Sequence, residues 1–144
     1  MIPDYLAVPF RRWHLAWLER DGDAEGGVGP HLTDEVLHSI ELTDSWTGTY
    51  SGQPIVCAGL MQQWPGRYTA WAYLNKTSAK HMTWITRQAL ALMSKPKGRV
   101  EFTVRADFEK GLRWARMLGF EIETPCLRAF GPEQEDHVGF VRFN

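Results

Sequence analysis

Residues able to move a proton or hold an anion fall in three separate stretches of this chain. Glu35, His38 and Glu41 crowd one apolar-periodic segment, Tyr68 and Tyr73 bracket another, and Glu101 stands alone in Arg99-Val-Glu-Phe-Thr-Val-Arg105. A carboxylate, imidazole or phenol held beside a reacting group can act as general base or acid. The competing reading for each charged residue is a solvated or locally paired side chain. Asn75-Lys-Thr-Ser-Ala-Lys-His81 offers something different: small residues, two lysines and an imidazole ahead of a helical pattern. Unpaired amides and the helix dipole favour an anion at such a place, and this composition is compatible with a phosphate. His31 and His38 lie seven apart and could share a face, but two ligands without a third make a poor metal site, so no metal is expected. Cys57 and Cys126 sit in separate apolar segments and read as reduced core residues.

At 144 residues the chain suits one domain, spanning 1–144. Sixteen Lys plus Arg against seventeen Asp plus Glu leave a formal charge of −1, so no overall basic field would hold nucleic acid or an anionic membrane. The N-terminal residues lack the pattern of a signal peptide, and no apolar run approaches the ~20 residues that span a bilayer. A cytoplasmic protein is expected. Seven tryptophans are the compositional oddity: Trp13, Trp17, Trp46, Trp64, Trp71, Trp84 and Trp114. Large rings suit a core or a subunit interface. The alternative is a stacking surface, with Trp71 and Trp64 the best placed for it.

The elements that must position these groups are readable from periodicity. Tyr5 to Val8 reads as a short strand ended by Pro9. Phe10, Trp13, His14, Trp17 and Leu18 then form one stripe of a first helix. The run Asp21 to Pro30 holds four glycines and reads as a loop. Leu32, Val36, Leu37 and Ile40 mark a second helix, with Thr33 or Asp34 able to cap it. Three strands follow, Thr47–Tyr50, Ile55–Met61 and Tyr68–Leu74, joined by turns at 51–54 and 65–66 and expected to form an antiparallel meander. Met82, Ile85, Thr86, Ala89, Leu90 and Met93 give the strongest helical signal, ended by Pro96 and Gly98. A strand at Val100–Val104, a helix from about Asp107 with Leu112, Ala115 and Leu118 inside, and strands at Glu121–Arg128 and His137–Phe143 complete the order.

Strand, helix, Leu118-Gly119-Phe120 and strand near the C-terminus resemble the closing half of the GNAT N-acetyltransferase superfamily, and the whole element order is the one that superfamily uses. The resemblance implies an α/β (α+β) fold: a central twisted, mostly antiparallel mixed sheet of six or seven strands flanked by about four helices. It implies that the fourth and fifth strands splay and that acetyl-CoA lies in the gap. Tyr73, Leu74, Asn75, Lys76, Thr77, Ser78, Ala79, Lys80 and His81 would then hold the co-substrate, with strand backbone near Tyr73 polarising the thioester carbonyl. An unknown amine is the implied acceptor.

Two departures mark the chain as a degenerate member. No glycine occurs from residue 67 to 97, where the superfamily uses bare backbone to approach the pyrophosphate. Counting back from Gly119-Phe120, the superfamily's Asn, Ala and Tyr positions fall on Phe108, Gly111 and Ala115, so the tyrosine that protonates the departing thiolate is absent there. Restoring it by Ala115→Tyr is expected to accelerate an enzyme if the helix tolerates the bulk. Amine attack also needs a base, and Tyr73, Glu101 and Glu41 are the candidates for catalysis. The same departures resemble the small GNAT-like proteins of short-tailed phages, through Lys76, Lys80, Ala115 and Gly119. Two functions follow: a slow or atypical acetyl-CoA-dependent N-acetyltransferase, or a non-catalytic virion or assembly protein acting through protein contacts, with a Trp-rich surface open to homo-oligomer or virion contacts.

Overall fold

The computed structural model describes residues 4–20 and 33–144; Asp21 to Pro30, His31 and Leu32 lie outside the described residues. Within them run β1 (Tyr5–Pro9), α1 (Arg12–Arg20), α2 (Asp34–Glu41), β2 (Asp44–Tyr50), β3 (Gln53–Trp64), β4 (Arg67–Leu74), a 3-10 helix (Lys76–His81), α3 (Met82–Met93), β5 (Arg99–Arg105), α4 (Glu109–Met117), β6 (Glu121–Leu127) and β7 (His137–Phe143). Strand β1 takes in Pro9, as an edge strand can because proline has no amide to donate.

The strands form one seven-stranded sheet in the order β1-β2-β3-β4-β5-β7-β6. Every pair is antiparallel except β4 and β5, which run parallel because α3 returns the chain across one face of the sheet. Alternation along β3 and β5 explains the layering. Val56, Ala58 and Leu60 of β3 and Val100 and Phe102 of β5 face α3 and α4, where Ile85, Ala89, Leu92, Ala115 and Leu118 complete a core with Phe120 and Phe140. Cys57 of β3 and Tyr73 of β4 face the other way, against Phe10, Leu15 and Leu18 at α1 and Ile40 of α2.

Local chemistry sets the helix ends. Thr33 caps α2 by accepting from the Val36 amide at 3.2 Å. The stripe on α1 differs from the one expected: His14, Leu15 and Leu18 are buried, while Trp13 is 60 % exposed. Burial also divides the two thiols. Cys57 lies in the core, where burial pushes its pKa up to about 12 against a weaker opposite pull from the Thr47 hydroxyl. Cys126 is exposed rather than buried, because β6 is a half-covered edge strand. Both are free.

Candidate functional site

Strands β4 and β5 touch only at their starts. The parallel ladder runs Arg67 to Arg99, Tyr68 to Val100 and Thr69 to Glu101, and there it stops. From Ala70 to Leu74, β4 keeps its ladder to β3 and has none to β5. The V that results opens into a mostly apolar cavity of about 670 Å³, within the range of small-molecule sites. Leu37 and Ile40 of α2, Trp71, Tyr73 and Leu74 of β4, Glu101 and Thr103 of β5, Trp114 of α4 and His137 of β7 all line it.

The closed end of the V is pinned twice. Gly98 has φ +112 and lies so close to Gly66 that a Cβ would sit 2.5 Å from the Gly66 carbonyl oxygen, while the Arg99 amide donates to that oxygen at 2.8 Å. Beside it Glu101 accepts from Arg67 Nε at 2.8 Å and also from Arg99 Nε, and Arg99 continues to Glu123. Burial alone would raise the Glu101 pKa, but hydrogen bonds from Arg67 and Arg99 outweigh it, and the carboxyl is held below the ordinary range. Hydrogen bonds that Arg99 donates to Glu123 and Glu101 in turn raise its own pKa. A carboxylate held ionised between two guanidiniums is a poor proton acceptor.

Of the residues singled out in the sequence, Tyr73, Leu74 and Glu101 reach the cavity. Tyr73 is 4 % exposed, on the face packed by α1. Glu41 is placed elsewhere: its carboxylate accepts from the Arg12 amide at 3.1 Å and pairs with the Arg12 guanidinium, tying the end of α2 to the start of α1. Residues Asn75 to His81 follow directly on the open end of β4 but do not line the cavity. Asn75 and Ser78 cap each other reciprocally; Asn75 also donates to the Leu18 carbonyl at 3.1 Å, and Ser78 donates to the Ile55 carbonyl. Those side chains hold the turn between β4 and α3. The His81 ring is turned to β1, with Nδ1 2.9 Å from the Tyr5 hydroxyl. Lys80 is exposed.

Ala115 is fully buried in the core beneath the sheet. A tyrosine there would overpack that core, which corrects the expectation that Ala115→Tyr restores a hydroxyl to the site. The α4 residue that does line the cavity beside Phe108 and Gly111 is Trp114, whose indole donates to Thr86 Oγ1 of α3 at 2.9 Å. Trp71 also lines the cavity, whereas Trp64 lies outside it, 57 % exposed with the Arg67 guanidinium over its ring.

Sequence reading missed a further cluster at the open end. Thr103 Oγ1 lies 3.0 Å from His137 Nδ1, and His137 Nε2 lies 3.3 Å from a Glu135 carboxylate oxygen. His137 is buried and Thr103 exposed. Register brings them together: Thr103 pairs with Gly139 and Arg105 with His137 across β5 and β7, so Thr103 and His137 share the cavity face. Period-two alternation was legible in both strands; their alignment was not.

No protein-family model and no curated protein matches this sequence. Solved structures do match. An Ard1 from Thermoplasma volcanium superposes with a TM-score of 0.76 at 13 % identity, covering 97 % of each chain. A GNAT-family acetyltransferase from Bacillus anthracis gives 0.69 at 12 %, covering 98 % of this chain and 95 % of its own. YncA from Salmonella typhimurium, described as a putative acetyltransferase solved with acetyl-CoA, gives 0.67 at 11 %, covering 98 % and 94 %. The splayed strands and the near-complete coverage agree: this chain has the fold of the GNAT-family acetyltransferases.

Proposed function

We propose that this domain transfers an acetyl group from acetyl-CoA to an amine. The observation that carries the proposal is the parting of β4 from β5 after Thr69, which ends the ladder between them and opens a cavity of about 670 Å³ along Ala70 to Leu74. Backbone amides and carbonyls along that edge fit a pantetheine arm, which carries amides of its own and needs an extended partner. Acetyl-CoA supplies the activated acetyl group. The chain supplies the slot, amides near Tyr73 and Leu74 to polarise the carbonyl, and the start of α3 with Lys80 for the phosphates. Tyr73, buried at the slot, is assigned as the proton donor to the leaving sulfur. Glu101 keeps the strands pinned below it.

Calorimetry with CoA tests the placement. Lys80→Glu is expected to weaken binding, and less so as salt rises, because an exposed charge is screened. Unchanged affinity would remove the start of α3 as the phosphate site. A turnover assay against a panel of amines, on the natural chain and on Tyr73→Phe, tests the chemistry; rapid turnover by the variant would overturn the role given to Tyr73. A second reading, a non-catalytic protein of a phage particle or other assembly, draws on the exposed Trp13 and Trp64. Failure of millimolar CoA to bind would favour it.

A further inference from the structure

The Thr103, His137 and Glu135 chain at the open end of the V is a relay without an assigned task. A neutral His137 with its proton on Nε2 satisfies both neighbours at once, donating to the Glu135 carboxylate at 3.3 Å and accepting from the Thr103 hydroxyl at 3.0 Å. That order of hydroxyl, imidazole and orienting carboxylate is the arrangement by which a buried imidazole draws a proton through a hydroxyl from a bound group. Of the three, the threonine is the exposed one.

The loop joining β6 to β7 is shaped around the carboxylate. Phe130 and Gly131 amides both donate to the Glu135 carbonyl at 3.0 Å, and the Glu133 amide donates to its side chain at 2.8 Å. Hydrogen bonding from its own amide is the main cause of a lowered Glu135 pKa, with His137 adding to it. Gly131 is buried, and a Cβ on it would sit 1.7 Å from Glu135 Oε1. Glycine here leaves room for the carboxylate to reach the ring. The other groups around the imidazole are Arg105, its register partner on β5, which pairs with Asp107; Asp136, which accepts from the Ala129 amide; and the Phe130 ring.

We propose that His137 is the general base of the reaction, receiving the proton of the acceptor ammonium through Thr103 while Glu135 orients the ring. The inference rests on the acetyl-transfer reading above. As the ammonium proton passes to Thr103 Oγ1, the threonine proton passes to His137 Nδ1. The freed amine forms its bond to the acetyl carbon, the carbon–sulfur bond breaks, and the thiolate leaves to be protonated by Tyr73 or water. The second amine proton and the imidazolium proton return to solvent. This face of β5 is the one shared with Tyr73, so the acceptor enters from the α1 and α2 side of the sheet.

The test is acetyl-CoA turnover with the amine panel, run as a pH profile on the natural chain, His137→Asn, Thr103→Val, Thr103→Ser and Gly131→Ala. His137→Asn is expected to lower kcat by about 10²-fold or more and to remove the acidic limb of the profile, with the KM for acetyl-CoA little changed. Thr103→Val should lower kcat and Thr103→Ser restore it. Gly131→Ala, whose added methyl would push against the Glu135 carboxylate rather than against backbone, should shift the acidic limb while leaving the melting temperature near that of the natural chain. Nitrogen-detected spectra should show the neutral His137 ring with its proton on Nε2. Turnover by the natural chain that His137→Asn leaves unchanged would overturn the relay alone. Acetyl trapped on Thr103 would also overturn it, since the hydroxyl would then be a nucleophile. CoA binding with no turnover of any amine would overturn the relay and the transferase reading together.

Discussion

At the residue scale, the neighbours of two titratable side chains decide which protonation state the fold holds, the ionised form of Glu101 and the neutral form of His14. Glu101 is a strut: Arg67 and Arg99 hold it ionised at the closed end of the V. Because its folded pKa is depressed, its contribution is present above the unfolded carboxylate value and is lost as pH falls through the folded one. Glu101→Gln should therefore lower stability by about 1–3 kcal/mol at neutral pH, and the difference from the natural chain should close in urea titrations below about pH 4. His14 also loses its contribution on acidification, but through its neutral form rather than a charged one. Its Nδ1 accepts from the Arg11 amide at 3.0 Å and lies 2.8 Å from Thr47 Oγ1, and burial, with Arg11 adding and Glu41 opposing, lowers its pKa. Protonation would place a hydrogen where two donors already point. Stability that depends on neutral His14 should be complete above about pH 6.5 and fall as pH drops through the window beneath it; a flat stability profile from pH 7.5 to 5 would contradict this.

At the element scale the turn between β4 and α3 decides how the site is built. The Asn75 and Ser78 capping pair closes a six-residue 3-10 helix, and the Asn75 amide reaches across to the Leu18 carbonyl of α1. Asn75→Ala removes a cap and a buried tether together and should cost about 2 kcal/mol or more, read as a lowered midpoint in chemical denaturation, where a cap alone costs nearer 1. Most of the helical signal in α3 was legible, since its apolar spacing leaves Ile85, Ala89 and Met93 on one face and those residues are buried. The 3-10 segment was not, because its hydrogen bonds come from side chains meeting Ile55 and Leu18, far away in sequence. On α4 the count back from Gly119 found Ala115 but not Trp114, whose place at the cavity depends on Thr86 of a neighbouring helix.

At the scale of the whole molecule, function depends on a sheet closed at one end of β4 and β5 and open at the other. Gly98 sets that geometry, being at positive φ and against the Gly66 backbone. Gly98→Ala meets backbone rather than a side chain that could move aside, so it should destabilise the fold by at least about 1–3 kcal/mol. Weakened CoA binding is expected at temperatures where the variant remains folded, since the splay begins at this contact.

Consecutive residues were enough for the order of the main strands and helices, the meander, the crossover through α3 and the buried face of α3, but not for the buried face of α1. These follow from short-range periodicity and turn chemistry, which are written in consecutive residues. Tertiary structure alone decided which chemical groups meet. Glu41 lies by α1 and not at the cavity, Glu101 lies between two arginines, and Thr103, His137 and Glu135 converge from residues 34 positions apart. Such meetings depend on strand register and on how far β4 and β5 diverge. Both are fixed by long-range contacts, because a slip of one residue in pairing turns every side chain to the opposite face.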